Sequence, residues 1–434
     1  MTDRQTDQPA LDTTGWKDRY AQSLMGVFGT PGELLTRGEG SWVTDSSGRE
    51  LLDMLGGIAV NALGHRHPAL LAAVTAQLEE LGHVSNLFAS APQIRLAEML
   101  LSLAEAPAGS GVFFANSGSE ANEAALKAVL RHRKDTGRGR ILALEGGFHG
   151  RTTGALALTH KPAFREPFGD LLGGVEFLAP NDIGALEEAL TDDVAGLFLE
   201  PIQGEAGVKP LDDAYMLRAR ELTREHGSLL IYDEVQTGIG RTGEWFRFQA
   251  VQRSSGVPIA PDLMTLAKGL GSGVPIGALV AFGPACNALL GPGQHGSTFG
   301  GNPLAAAAGI ATLQTLQDEA LLRNAQIQGE RLAAALRTLP QVADVRQYGL
   351  HIGIDLDAAS FPGEPAPAQR LVVVARESGG LIINATGEAT LRLAPPLIID
   401  DGLVEEFMER FTGALKVMQD GVMQDGAMQD EGER

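Results

Sequence analysis

The sequence predicts an α/β protein: a mostly parallel β-sheet covered by helices on both faces, followed by a smaller α+β domain. Two observations carry this. Runs apolar on both faces alternate with amphipathic helical patterns, as strands buried under helices require. In addition, 55 of the 434 residues are glycine, well above the usual share of about 7%. They gather at the ends of those runs, where tight turns and close backbone approaches occur.

The elements follow in order. Near the N-terminus "SWVTDSSGRELLDML" alternates apolar and polar residues about a Ser-Ser-Gly turn and reads as a hairpin. Strand candidates are 111–115, 140–144, 194–200, 228–234, 263–267 and 277–282. Between them lie helical patterns such as "SEANEAALKAVLRHRK" and "AYMLRARELTREHG", the second closed by Gly227 as a C-cap. From 302 to 339 the pattern is helical and alanine-rich, a spine joining two domains. Beyond it, "VADVRQYGLHIGIDLD", "AQRLVVVARESG", "TLRLAPPLII" and a last helix to about 416 read as the smaller domain. The tail repeats "MQDGV", "MQDGA" and "MQDEG", too few and too polar for a solenoid, so it is expected to be disordered.

Composition narrows the function. A chain of this length with 44% hydrophobic residues can bury a large core and form two domains. Its formal net charge of -20 offers no basic face to nucleic acid, and an anionic membrane would repel it. An anionic small substrate needs local arginines, which suffice because screening acts over about 8 Å. The single cysteine, Cys286, has no internal partner, which fits a reducing compartment. The polar, acidic opening lacks the plan of a secretory signal, and no apolar run reaches membrane-spanning length. A cytoplasmic location is expected.

Three motifs carry the chemistry. "NSGSEANE" (116–123) stands where a strand meets a helix. The N–H groups there, with the hydroxyls of Ser117 and Ser119, make a phosphate cup, or Ser117 and Glu120 make a plain capping box. Asp233 ends the strand "LLIYDEVQTG", where open α/β sheets bind ligands, although a structural carboxylate fits as well. "GIGRTG" (238–243) matches the dinucleotide fingerprint, with Asp262 about 20 residues on, but Gly256, Pro258 and Pro261 break the helix and strand that must follow, so a nicotinamide site is rejected. The third is Lys268, set between two apolar runs in "DLMTLAKGLGSGVPIGALVAF". Burial lowers its pKa from near 10.4 and makes the amine a nucleophile. With a phosphate cup and a strand-end acid nearby, Lys268 reads as the Schiff-base partner of pyridoxal 5'-phosphate, and Asp233 as the partner of its pyridine nitrogen.

"GGIAVNALGHRHP", "SNLF", "FFANSGSEANEAALK", "FHGRTTGALALT", "LEPIQGEAGV", "DEVQTGIGRTG", "LAKGLGSGVPIGA", "HGSTFGGNPLA" and "LRLAPPL" occur in that order. Together they resemble the class III (omega) aminotransferases, of the fold type I group of pyridoxal phosphate enzymes. They are most similar to that class's acetylornithine-using members. The resemblance spans about 26–416. It implies a seven-stranded, mostly parallel sheet, with residues 1–60 packing on the small domain, 61–318 forming the large domain, 319–417 the small one and 418–434 an acidic tail. It further implies a homodimer with shared active sites, N-acetylornithine and 2-oxoglutarate as substrates, and a step of arginine biosynthesis.

The resemblance also assigns roles. Lys268 is the Schiff-base lysine, Asp233 the ring-nitrogen partner and Gln236 the partner of the ring hydroxyl. Ser117, Gly118 and Ser119 hold the phosphate, Phe148 and Val235 face the ring, and Thr298 reaches the other subunit's cofactor. Arg151 and Arg392 clamp carboxylates, with Glu205 as a switch on Arg392. Ile58 and Ser297 belong to the substrate pocket, and Gly57 and Ile58 stand where ornithine-using enzymes usually carry a tyrosine. Ser119 departs from the alanine or threonine common there. His65 and His67 lack a third ligand and read as local structure, as does His295, and no metal site is expected. Phe148 on its own reads equally as core packing. A related omega-aminotransferase, or a catalytically silent homologue serving as a binding module, remain the alternatives; the second fits poorly because Lys268 and Asp233 are both present.

Overall fold

The computed structural model describes residues 13–432, with side chains up to Asp420. Strands β1 (Leu35–Glu39), β2 (Trp42–Asp45) and β3 (Glu50–Asp53) form the N-terminal meander. The β2–β3 hairpin turns through the Ser-Ser-Gly segment, and Asp45 holds the turn by accepting from the backbone N–H groups of Ser47 at 2.8 Å and Arg49 at 3.0 Å.

The large sheet contains β4 (Gly111–Ala115), β5 (Arg140–Leu144), β6 (Val175–Leu178) and β7 (Val194–Leu199). A short hairpin, β8 (Ile202–Gln203) and β9 (Lys209–Pro210), leaves the end of β7. Then come β10 (Leu229–Asp233), β11 (Leu263–Leu266) and β12 (Gly277–Ala281). Seven strands lie in the order β4-β12-β11-β10-β7-β5-β6, and only β12 runs antiparallel to its neighbours. Every residue of β7, β10, β11 and β12 is buried, which explains why these strands read as continuous apolar runs. β6 escapes the sequence pattern because it is an edge strand, only half-buried, with Glu176 facing out to Arg140.

The Gly118–Thr136 helix crosses β11 and β12, and its Ala121, Ala124, Ala125 and Ala128 let it approach the sheet closely. The Pro303–Asp318 helix packs its small-residue face on the Pro68–Glu80 and Ala91–Leu103 helices. The helical pattern over 302–339 predicts one spine. The structure has two helices, Pro303–Asp318 and Leu321–Leu336, separated by a left-handed Ala320, so Leu316 and Leu321 can both turn into the core.

The smaller sheet comprises β13 (Val342–Tyr348), β14 (His351–Leu356), β16 (Asn384–Ala385) and β17 (Thr390–Leu393). β15 (Leu381–Ile382) instead joins the meander, pairing parallel to β3, so the N-terminal strands are anchored by a C-terminal one. The Asp401–Gly432 helix continues through the repeats expected to be disordered. Arg241 of "GIGRTG" is buried and donates to the carbonyls of Leu350 at 3.1 Å and Pro395 at 2.5 Å, and no helix follows those glycines directly. That segment is a clasp to the small domain. His65 pairs with Asp53 at 3.0 Å.

Candidate active site

Three parallel strands deliver three ionisable groups to one cavity of about 350 Å³. Glu200 directly follows β7, Asp233 ends β10, and Lys268 lies two residues beyond β11. Side chains at the C-terminal ends of such strands project into the crevice above the sheet. Lys268 also has a left-handed backbone, φ 43, a strained conformation for a non-glycine residue.

Asp233 is buried and tightly held. Its Oδ2 accepts from His149 Nδ1 and from Asn122 Nδ2, each at 2.8 Å, and its Oδ1 accepts from the Val235 N–H at 3.0 Å. Asn122 is fixed in turn, donating also to the His149 carbonyl at 2.8 Å and accepting from the Thr265 hydroxyl at 3.1 Å. Burial alone would lower the His149 pKa, but the hydrogen bond and charge of Asp233 outweigh it and raise it. Glu200, which accepts from the Phe148 N–H at 2.8 Å, is pushed up to about 7 by burial against the opposing pull of His149. Part of the Lys268 side chain faces the cavity, yet protein packs around it densely enough that burial, and then the charge of Arg392, lower it to about 8.

A second group adjoins the first. Arg392, on β17, is 1% exposed and donates through Nη1 to Glu205 Oε1 at 2.5 Å and to Gln236 Oε1 at 3.1 Å, and through Nη2 to Asn384 Oδ1 at 2.8 Å. Glu205 sits in the loop of the β8–β9 hairpin. Burial would raise its pKa, but the Arg392 guanidinium overrides this and holds it below the usual carboxylate range. A Cβ at Gly204 would lie 1.8 Å from Gln236 Oε1, so any larger residue there would push the Gln236 amide out of its place.

Ser117, Gly118, Ser119, Phe148, Glu205, Asp233, Val235, Gln236 and Lys268 thus share the cavity, with Arg392 just behind Glu205 and Gln236. The capping reading of Ser117 is realised, its hydroxyl accepting from the Glu120 N–H at 3.2 Å, while Glu120 reaches back to the Asn116 N–H at 2.6 Å. This leaves the first N–H groups of the Gly118–Thr136 helix free of intrahelical partners. Arg151 is exposed, with its guanidinium 3.4 Å from the centre of the Phe164 ring. Ile58 is 43% exposed in a left-handed stretch. Ser297 and Thr298 line a separate cavity with Lys127 and His295. Arg151, Ile58, Ser297 and Thr298 do not border the Lys268 cavity within one chain. Sequence reasoning missed Asn122, His149 and Glu200. Glu200 had a usable signal, a carboxylate at the end of an apolar strand, as for Asp233. His149 and Asn122 had none, since only the fold brings them to Asp233.

The site fits pyridoxal 5'-phosphate. A buried carboxylate facing the cavity suits a protonated ring nitrogen, the uncovered helix start suits a phosphate, and an amine of lowered pKa suits an aldehyde. Val235 packs against Gly118 beside that helix start, where a Cβ would fall 2.8 Å from Val235 Cγ1. Among the described residues no cluster could hold a metal ion, and no helix is long and apolar enough to cross a membrane.

The sequence matches the family described as aminotransferase class-III over residues 30–415. It is 48% identical to acetylornithine aminotransferase of Mycolicibacterium smegmatis over 401 residues, 92% of this chain and 97% of that one. A further 48% match, to acetylornithine aminotransferase of Streptomyces coelicolor, covers 92% and 94%. Among solved structures, N-acetylornithine aminotransferase of Stenotrophomonas maltophilia superposes with a TM-score of 0.76 at 35% identity, covering 92% of this chain and 98% of that one. Ornithine aminotransferase of Toxoplasma gondii, described with pyridoxal phosphate partly occupying its active site, gives 0.85 at 30% identity, covering 94% and 95%.

Proposed function

This chain belongs to the class III aminotransferases and uses pyridoxal 5'-phosphate, and on that premise we propose that it transfers the δ-amino group of N-acetyl-L-ornithine to 2-oxoglutarate. The products are N-acetyl-L-glutamate 5-semialdehyde and L-glutamate, a step of arginine biosynthesis. The observation that carries the reading is the buried Arg392 paired with a partly exposed Glu205 beside Lys268. One pocket must accept a carboxylate next to the reacting carbon in one half-reaction and none there in the other.

The bound cofactor supplies an electron-withdrawing ring that stabilises negative charge at the reacting carbon. Asp233 holds the proton on the ring nitrogen, and His149 and Asn122 hold Asp233. Lys268 Nζ is the tether and, once freed, the base that takes the proton from the carbon bearing the reacting amine. The start of the Gly118–Thr136 helix, with Ser117 and Ser119, binds the phosphate. Phe148 and Val235 confine the ring, and Gln236 meets its hydroxyl. Acetylornithine places its α-carboxylate on Arg151 while Glu205 neutralises Arg392. Glutamate displaces Glu205, sets its α-carboxylate on Arg392 in a two-pronged contact and uses Arg151 for its side chain. Ile58 and Ser297 complete the substrate pocket.

Steady-state assays with acetylornithine, ornithine, succinylornithine and 4-aminobutyrate, each against 2-oxoglutarate, should give the highest kcat/KM for acetylornithine; another donor in first place would displace this reading. In the reverse direction, with N-acetyl-L-glutamate 5-semialdehyde as acceptor, Glu205→Ala should raise kcat/KM for glutamate as donor about fivefold. The Glu205 side chain is 38% exposed, so the pair it forms is worth only about 1 kcal/mol after solvent screening. No gain with glutamate would remove the switch.

The active unit is a homodimer in which Thr298 contacts the other subunit's cofactor. Two features support it: Thr298 is exposed away from its own Lys268 cavity, and the large apolar side chains Leu87, Phe88 and Phe299 are 87%, 69% and 58% exposed on two adjoining segments that Asn86 ties together. Sedimentation of the loaded enzyme should show a dimer, and a fully active single chain would end this part of the proposal.

A further inference from the structure

His351 has no part in the reaction as derived so far, yet it is 0% exposed and touches the carboxylate-binding group. It opens β14, whose partner β17 carries Arg392 directly opposite Gly353. Side chains two apart on a strand share a face, so His351 and Arg392 are diagonal neighbours, while the Gly207 carbonyl packs over Gly353, 2.6 Å from where a Cβ would lie.

His351 Nε2 lies 3.0 Å from Gln236 Oε1, and Arg392 Nη1 donates to that same oxygen at 3.1 Å. Two donors on one oxygen fix the amide. Turned over, Gln236 would set its NH2 against a guanidinium; as placed, its nitrogen is left to bond Glu205. Burial, followed by the charges of Arg392, Arg241 and Lys268, keeps His351 neutral, and because its Nε2 faces Gln236 Oε1, the oxygen that accepts from Arg392, Nε2 is the ring nitrogen that carries the hydrogen. Its Nδ1 is buried without a partner. An apolar side chain would fill the space without that unpaired nitrogen, whose desolvation costs stability. The retained imidazole points to a use for its one donor.

We propose that His351 is a positioning residue which, by fixing the Gln236 amide, holds the Arg392 guanidinium ready for a substrate carboxylate once Glu205 has left. The inference rests on Arg392 being the clamp for glutamate and 2-oxoglutarate. Gln236 and Asn384 are the partners Arg392 keeps when Glu205 swings away, and both are neutral. An unsupported guanidinium would have to be reoriented at each turnover, which weakens binding of the dicarboxylate and leaves the acetylornithine half-reaction, in which Glu205 stays in place, nearly untouched.

Glutarate, an unreactive dicarboxylate, serves as the probe, with its affinity for the loaded enzyme measured by calorimetry. His351→Met removes the donor at similar volume and should weaken glutarate about fivefold, the worth of one neutral hydrogen bond. KM for 2-oxoglutarate should rise in parallel, with KM for acetylornithine unchanged. His351→Gln, whose amide nitrogen can take the place of Nε2, should restore both. If His351→Met fails to fold, His351→Asn is read instead, because its shorter amide cannot reach Gln236. Unchanged glutarate affinity, an equal loss for acetylornithine, or no recovery with His351→Gln would each overturn the proposal. Arg392→Gln separates the two levels. If it leaves glutarate binding intact, the clamp reading fails and this inference with it; if it abolishes binding while His351→Met does nothing, only the role of His351 is lost.

Discussion

Lys268→Ala should abolish the visible absorption band of the purified enzyme and lower turnover by about four orders of magnitude or more, since one group is asked to be both nucleophilic tether and acid-base catalyst. Lys268→Arg should be equally inactive. It keeps a positive charge in the same place, but a guanidinium does not lose its proton in this range and offers no free amine. The pair of variants therefore separates the nucleophile from the charge. The pH dependence has a definite sign. With Lys268 lowered to about 8 by burial, the fraction of neutral amine grows about tenfold per unit below that pH and levels off above it. Capture of added cofactor by the cofactor-free protein, followed by absorbance, should follow that curve. Turnover retained in Lys268→Ala, or a capture rate flat between pH 6 and about 8, would sink the assignment.

Asp233→Asn should lower kcat by about three orders of magnitude while the protein still folds. At about 3 Å and an effective dielectric near 20, a carboxylate facing a ring N–H⁺ is worth about 5 kcal/mol, against about 1 for a neutral hydrogen bond, and the difference of about 4 sets the expected loss. The surroundings make the substitution worse than isosteric. Both Asp233 oxygens accept, one from His149 and Asn122 and the other from the Val235 N–H. Whichever way an amide is turned there, its NH2 confronts a donor, which adds a cost in stability of about 1–3 kcal/mol. Thermal melting should record that cost separately from kcat. A variant within tenfold of wild-type kcat would show that the ring nitrogen needs no anion here.

Some of this was legible in the sequence because the information is local. β7, β10, β11 and β12 are buried on both faces, so their composition announces them, whereas β6, half-buried at the edge, does not. Lys268 and Asp233 could be singled out because a charge at the end of an apolar strand costs energy that only a partner or a function offsets. Ser117 was ambiguous for a physical reason: the same helix start that caps with a hydroxyl also binds an anion, and the capping bond is present. The break at Ala320 in the alanine-rich spine could not be read, because alanine favours helix on either side and packing against the core decides where the chain turns.

By itself the sequence determined the fold class, the strand ends that carry Asp233 and Lys268, and the type of chemistry an amine and an acid perform there. Only the tertiary structure decided which distant residues tune those groups: His149 and Asn122 on Asp233, and Gln236, Asn384 and His351 around Arg392. The reason is that strand and helix periodicity is written in neighbouring residues, while hydrogen bonds between side chains more than 100 positions apart, such as His351 to Gln236, depend on sheet register and helix packing that no local pattern encodes.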